Sequence, residues 1–383
     1  MVQVNNPFIT AGYISPEYFC DRQSESNELI KQLTNGNNLA LISPRRMGKT
    51  GLVMHCFAHS EISDKYYTFF VDIYATKSLR DFILSLSKVI LERLKPFGRK
   101  AIETFVNCVK TLQAGISFDV VGNPSFNMQL GDVRDTRATL DEIFKYLEVA
   151  DKPCIVAIDE FQQIGKYPEK NIEALLRTHI QKIENSHFIF AGSERSMMQA
   201  MFLSSARPFY RSSDVMELEA INKDIYVAFI AEHFEHRDRR INTEDIEKVY
   251  DFFKGHTFYI QKTFNESFAD TPVGSECTLG IIRNAINSMI DYNDTIFREI
   301  LSNIPENQKK VLYAIAKEGD AMQILSASFI KRHSLASASS IQAATKKLLE
   351  KDIITEVNKV YSVTDKLFAM WINRLYGKSK ILF

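Results

Sequence analysis

Residues 39–56 read LALISPRRMGKTGLVMHC, with Gly48-Lys49-Thr50 between a short apolar run and a helix-forming stretch. The phosphate-loop pattern G-x-x-x-x-G-K-[ST] works only in that setting. A buried strand leads in, a helix leads out, and backbone N–H groups at the helix start surround phosphate oxygens. Here the loop would be lined by Ser43, Pro44, Arg45, Arg46, Met47, Gly48, Lys49, Thr50 and Gly51. Lys49 would reach the β- and γ-phosphates, and the Thr50 hydroxyl would bind Mg²⁺. Ser43 stands where the pattern has its first glycine. A small residue serves there if φ stays negative, and Pro44 stiffens the turn.

A second run supplies the carboxylates that such a loop requires. Ile155–Glu160 reads IVAIDE, an apolar strand ending in Asp159-Glu160. Open parallel sheets bind ligands at that end of their strands. Asp159 would hold the Mg²⁺ shell, and Glu160 would orient or deprotonate an attacking water. Ser193, which ends FIFAGS at 188–193, would hydrogen-bond the γ-phosphate or the water, unless it is an ordinary turn serine. Arg207 and Arg211 lie in SSARPFYRSSD. Either would stabilise charge on a transferring phosphoryl, in cis or in trans, or be simply solvated.

Alternating strands and helices must position these groups. The spacing predicts a helix over 24–34, a strand over Leu39–Ile42 and a helix over Gly51–His59. Strands follow at 66–73, 154–158, 188–191 and 214–218, with helices at 81–94, 136–147 and 171–185 between them. This predicts an α/β fold with a parallel sheet covered by helices on both faces. Two alternating runs around Gly122-Asn123-Pro124 predict a β-hairpin insertion at about 114–131. Residues 223–300 read as helices only, with loops near 237–243 and 270–277. Helices at 307–317, 326–333 and 337–351, then two β runs around Val357-Asn358, give the winged-helix order. The expected domains are a core at 1–220, a helical lid at 221–303 and a winged helix at 304–383.

Composition narrows the classes. The chain has 383 residues, 45% hydrophobic and 25% charged, with formal net charge zero, so no global field pulls it toward nucleic acid or an anionic membrane. Five scattered cysteines without a C-x-x-C pair read as free thiols of a reducing compartment. MVQVNNPFITAGY lacks the basic start and apolar core of a signal peptide, and no apolar run reaches about 18 residues. A cytoplasmic protein outside the membrane is expected. His55 and His59 have metal-like spacing, but no carboxylate general base accompanies them and their helix is the one that follows the phosphate loop, so a metal site is not expected there.

Several of these segments resemble the archaeal-type ATPases of the AAA+/STAND side of the P-loop NTPases. They are NPF at 6–8, FCDRQSE at 19–25, SPRRMGKT at 43–50, AIDEFQQI at 157–164, AGS at 191–193 and RPFYR at 207–211. GHTFYIQ at 255–261 resembles the family's G-x-P-type lid motif, and DKLFAMW at 365–371 its Asp-x-x-Phe-x-x-Trp ending. Departures are Ser43 for glycine, Thr257 for proline and Cys20 for a frequent glycine. The resemblance implies a P-loop NTPase core of the AAA+-like (ASCE) kind, an all-α lid and a winged helix. It implies ATP or ADP as ligand, adenine packed near Phe19, Asp21 and Arg22, and a lid closing through Gly255 and His256.

Three functions fit this sequence. The first is an ATP-hydrolysing conformational switch with a protein partner. The second is a DNA-associated ATPase acting through residues 305–383, which carry 13 Lys+Arg against 7 Asp+Glu, a net +6. Lys331, Arg332, Lys346, Lys347 and Lys351 would then meet phosphates, although SASSIQAAT at 337–345 opens the recognition helix without a basic residue. The third is a non-hydrolysing ATP-binding scaffold, which would not need Glu160. The sequence leaves the oligomeric state open.

Overall fold

The computed structural model describes residues 4–118, 124–126 and 135–376. By its contacts the chain divides into two units, one of Ile9–Tyr226 with His256–Phe258, the other of residues 4–8, 227–255 and 259–376.

The first unit runs α1 (Gln23–Thr34), β1 (Leu39–Ile42), α2 (Lys49–Ala58), the one-turn α3 (Ser60–Ser63), β2 (Tyr67–Asp72), α4 (Leu79–Leu94) and α5 (Arg99–Cys108). It continues with β3 (Ile116–Phe118), β4 (Pro124–Phe126), α6 (Thr136–Val149), β5 (Cys154–Asp159), α7 (Ile172–Ile180), β6 (Ser186–Gly192), α8 (Arg195–Leu203) and β7 (Asp214–Glu217). Strands β2, β5, β6, β1 and β7, in that order, form a five-stranded sheet in which every pair is parallel.

Side chains alternate across a strand, so each strand serves two cores. Cys154, Val156 and Ile158 face one cluster with Phe188 and Phe190, against α4 to α8. Ile155 and Ala157 face the other with Leu39, Leu41, Ile189 and Ala191, against α1 to α3. That double burial is why the strands read as continuous apolar runs. Ser78 caps α4 by accepting from the Asp81 N–H at 3.2 Å, and Asp135 caps α6 by accepting from Arg137 and Ala138.

The strands of the insertion, β3 and β4, pair antiparallel with Ile116 opposite Phe126. Part of the expected turn, residues 119–123, lies outside the described residues. Helix α7 stops at Ile180, short of the expected 185, because Gln181–Asn185 return the chain to Ser186 opposite Cys154. Helices α5 and α8 were not anticipated.

The second unit contains most of α9 (Lys223–Glu235), then α10 (Thr243–Phe253), most of α11 (Thr257–Asp270), α12 (Leu279–Tyr292) and α13 (Asp294–Ser302). The expectation of helices alone is corrected at one point. The loops near 237–243 and 270–277 meet as a two-residue parallel pair, β8 (Arg240–Ile241) and β9 (Glu276–Cys277). Phe8 is fully buried against Phe234, Phe264 and Phe268, with ring centroids 5.6, 6.1 and 5.8 Å away.

Helix α14 (Glu306–Glu318), β10 (Ala321–Met322), α15 (Ala327–Arg332), α16 (Ala338–Glu350), β11 (Ile354–Val357), β12 (Val360–Val363) and α17 (Lys366–Tyr376) make the winged helix. Its wing turns at Asn358-Lys359, one residue later than expected. Both residues have positive φ, 52° and 65°, which β-branched Val357 resists. Trp371 is buried beside Phe297 and Phe368 and donates its indole N–H to Asp294 Oδ1 at 2.8 Å. Among the described residues, no helix is long and apolar enough to cross a membrane.

Candidate active site

Parallel strands bring their C-terminal ends to one edge, and the chemistry collects there. The register sets Ile42 opposite Gly192 and Asp72 opposite Asp159. The loop after β1, the acids ending β5 and the residue after β6 are therefore neighbours.

In the loop, Arg46 and Gly48 have positive φ, 68° and 94°, while Ser43 is not among the positive-φ residues. Ser43 is buried, and its N–H donates to the Gly192 carbonyl at 3.3 Å. Its backbone suits an L-residue, so the missing first glycine costs the loop nothing there. Gly48 is the N-cap of α2 and has no side-chain capping bond. The first-turn amides therefore point into the loop uncapped, the arrangement that receives an anion. Lys49 is buried, with its ammonium donating to the carbonyls of Ser43 at 3.2 Å and Pro44 at 3.5 Å. Burial lowers its pKa and nearby Arg45 lowers it further, while Asp159 and Glu160 oppose the shift.

The Thr50 hydroxyl donates to Asp159 Oδ2 at 3.0 Å, and the Glu160 N–H donates to Asp159 Oδ1 at 3.0 Å. Burial raises the Asp159 carboxyl's pKa; Lys49 pulls it down, Glu160 pushes it up, and the two hydrogen bonds lower it. A buried hydroxyl–carboxylate pair at the mouth of a phosphate loop is an oxygen-rich donor set that suits Mg²⁺. Glu160 has φ 57° and opens a 3₁₀ turn, Phe161–Lys166. Its Oε2 accepts from the Ser193 hydroxyl at 2.6 Å and from the Gln162 amide. Arg45 Nε in turn donates to Ser193 Oγ at 3.4 Å.

The other expected site residues are more scattered. Phe19 stacks on His55, 4.5 Å between centroids at 16°, and a Cβ on Gly51 would lie 3.4 Å from its ring. His55 Nδ1 also meets the Tyr13 hydroxyl at 3.1 Å. Asp21 and Arg22 both have positive φ. Arg22 is buried beneath the loop, donating to the carbonyls of Glu219 at 2.7 Å and Met47 at 3.4 Å, and pairing with Glu25 at 2.6 Å. It is thus a strut for the loop backbone. Half-buried His256 precedes Thr257, whose hydroxyl donates to Met47 O at 3.4 Å, and Phe258, whose N–H donates to Arg46 O at 3.0 Å. Arg207 is ion-paired with Glu173 of α7, and exposed Arg211 lies over the Tyr210 ring. No described contact brings either to the loop. Sequence reasoning missed Gln162, although it lies in the AIDEFQQI run.

A family profile described as "ATPase domain predominantly from Archaea" matches residues 19–263. The chain belongs to this family. A second profile, "Probable winged helix domain", matches residues 295–374. Among solved structures, the Walker-type ATPase of Pyrococcus abyssi is similar with TM-score 0.67 and 18% identity, over 96% of this chain and 99% of that one. The ORC2 protein of Aeropyrum pernix, solved as ADPNP and ADP complexes, gives TM-score 0.59 and 15% identity, over 97% and 98%. The ORC1 protein of Aeropyrum pernix in complex with DNA gives TM-score 0.52 and 11% identity, over 94% of each chain. At these identities the likeness concerns the fold. No curated protein sequence matches the chain. Fold and family together make this an ATPase domain of the P-loop kind with a C-terminal winged helix.

Proposed function

We propose that the chain binds ATP with Mg²⁺ at the C-terminal edge of the sheet and hydrolyses it slowly, as a nucleotide-dependent switch. The observation that carries this reading is the convergence of Lys49, Thr50, Asp159 and Glu160 on one edge, with Thr50 hydrogen-bonded to Asp159 at 3.0 Å. The loop amides and Lys49 bind the phosphates. Thr50 and Asp159 would hold Mg²⁺, which neutralises phosphate charge when bound. Glu160 orients the attacking water and takes its proton, with Ser193 and Gln162 steadying the carboxylate. The switch is supported by the tripeptide His256–Phe258, which hydrogen-bonds to Arg46 and Met47 of the loop. A phosphate in the loop and the head of α11 then share the same backbone. On this reading the domains are the core to residue 220, a lid at 221–303 and a winged helix at 304–383, in a cytoplasmic protein that answers to a protein partner.

Steady-state hydrolysis by wild type, Lys49→Ala and Glu160→Gln tests this. Lys49→Ala should lose binding and turnover. Glu160→Gln should lose about 10²–10⁴ in kcat with ATP still bound. Unchanged turnover in Glu160→Gln would sink its role, and ATP binding without any turnover would favour a scaffold.

A second reading, DNA association, has one observation in its favour. The exposed face of α16 carries Ser339, Gln342 and Lys346, and the wing turn exposes Asn358 and Lys359. These are the positions a winged helix turns toward a duplex. Turnover that rises with double-stranded DNA and loses the rise at higher salt would support it. Indifference to DNA leaves the switch.

A further inference from the structure

Helix α14 carries Lys310, Ala314 and Lys317 on one face, since seven residues make two turns. With His333 at the end of α15, and Ile372 and Asn373 of α17, these residues line a cavity of about 230 Å³. None of its described lining residues comes from α16 or the wing, and none is a carboxylate.

We propose that this cavity binds a small phosphomonoester, apart from the phosphate loop and from the face that a winged helix turns toward a duplex. Charge is the first argument. Lys309 is paired with Glu306 at 2.7 Å, whereas the ammonium groups of Lys310 and Lys317 make no ion pair or hydrogen bond among the described residues. They leave the helix two turns apart, about 10 Å along its axis, so their flexible stems can converge on one anion from both ends. A concavity lined by one sign of charge focuses its field on an anion, and lysine is a phosphate binder.

The second argument is that the polar groups between the lysines are already held in place. The His333 side chain is only 6% exposed, and its Nε2–H donates to Glu318 Oε1 at 2.7 Å. Arg332 donates to the same oxygen at 2.8 Å, and these two hydrogen bonds hold the Glu318 carboxyl below the usual carboxylate range. Glu318 is therefore ionised, is answered by Arg332, and fixes the tautomer of the imidazole. The Asn373 amide nitrogen donates to the Ala316 carbonyl at 2.8 Å, which leaves Oδ1 as an acceptor for a hydroxyl. Ala314 and Ile372 give the cavity an apolar wall. Drug-sized ligands need roughly 300–1,000 Å³, so this site takes a phosphate on a hydroxyl-bearing body of a few carbons.

The test is calorimetric titration of the full chain with glycerol 3-phosphate, in a Lys49→Ala background that silences the phosphate loop. The probe should bind with Kd of about 1 mM or below, more weakly as salt rises, and glycerol should not bind. Lys310→Ala with Lys317→Ala should weaken binding about tenfold or more, and His333→Gln should weaken it as well. Both lysines are exposed, so the melting temperature of the lysine double variant should hold. Absence of binding up to about 10 mM, or unchanged affinity in the lysine double variant, overturns the assignment. A short DNA duplex that displaces the probe, and itself loses affinity when the two lysines are removed, overturns the small ligand in favour of a nucleic-acid backbone. None of these outcomes bears on the ATPase reading, which is tested at Lys49 and Glu160.

Discussion

Gly192→Ala tests how tightly the C-terminal edge of the sheet, the proposed site of catalysis, is packed. Gly192 ends β6 and has no positive φ, so the substitution carries no backbone strain. Its Cβ would lie 2.4 Å from Met198 Sδ, 2.6 Å from Met198 Cγ and 2.5 Å from Gln162 Oε1. Real Cβ atoms do not approach so closely, so something must move. Neither neighbour can swing into solvent, because Met198 is fully buried in the core and Gln162 is 2% exposed. Overpacking of this kind costs about 1–3 kcal/mol. At about 2–4 °C per kcal/mol for a unit of this size, melting should fall by about 2–12 °C. The same push moves the Gln162 amide off Glu160, so kcat should fall while ATP affinity holds. Calorimetry and steady-state kinetics read the two effects. A double variant with Met198→Ala isolates the cause. Met198→Ala alone costs about 2–5 kcal/mol through its cavity, and the new methyl should fit there. The double variant should then be no less stable than Met198→Ala. An unchanged melting temperature in Gly192→Ala, or simple additivity in the double variant, would refute the packing argument.

Asp159→Asn should stabilise the nucleotide-free protein at neutral pH, by about 0.5–2 kcal/mol, while abolishing Mg²⁺-dependent turnover. Burial raises the Asp159 pKa above its unfolded value, so its contribution to stability is present below the unfolded pKa and lost as pH rises through the folded one. The variant's advantage should therefore shrink as urea melts are repeated toward acid, and an advantage that grew there would contradict the sign. Arg22→Met removes the donors to Met47 and Glu219 and the pair with Glu25, and should cost about 1–3 kcal/mol and weaken ATP binding. Melts and nucleotide titration check this; intact affinity would mean that the loop holds its shape without the strut.

The sheet was legible because each of its strands is a run of apolar residues set between helical patterns, and double burial demands that signature. Pairings made at long range were not. Arg240–Ile241 and Glu276–Cys277 are too short for any periodicity, and only the fold brings them together. Likewise the end of α7 at Ile180 is set by where Ser186 must meet Cys154, and the apolar spacing beyond Ile180 carries no such information. The wing turn was misplaced by one residue because hydrophobic alternation ignores the sign of φ, whereas Val357 does not.

The site divides along the same line. The positions of Asp159 and Glu160 were readable because an apolar strand ends there, and those of Lys49 and Thr50 because Gly48 opens a helix a short loop after another such strand. The engagement of Arg207 was unreadable, since Glu173 meets it only through the placement of α7. The departures from the family pattern nevertheless have local physical reasons. Ser43 replaces a glycine where φ is not positive, and Cys20 does the same, with the left-handed turn falling on Asp21 and Arg22 instead. Thr257 replaces a proline and contributes what proline lacks, a hydroxyl that donates to Met47 O. Met47 O then has donors from both Thr257 and Arg22, groups 210 and 25 residues away in sequence. The carbonyl just before Gly48 is therefore held from two sides. A pattern match tolerates these substitutions only as mismatches, whereas the backbone accounts for each of them.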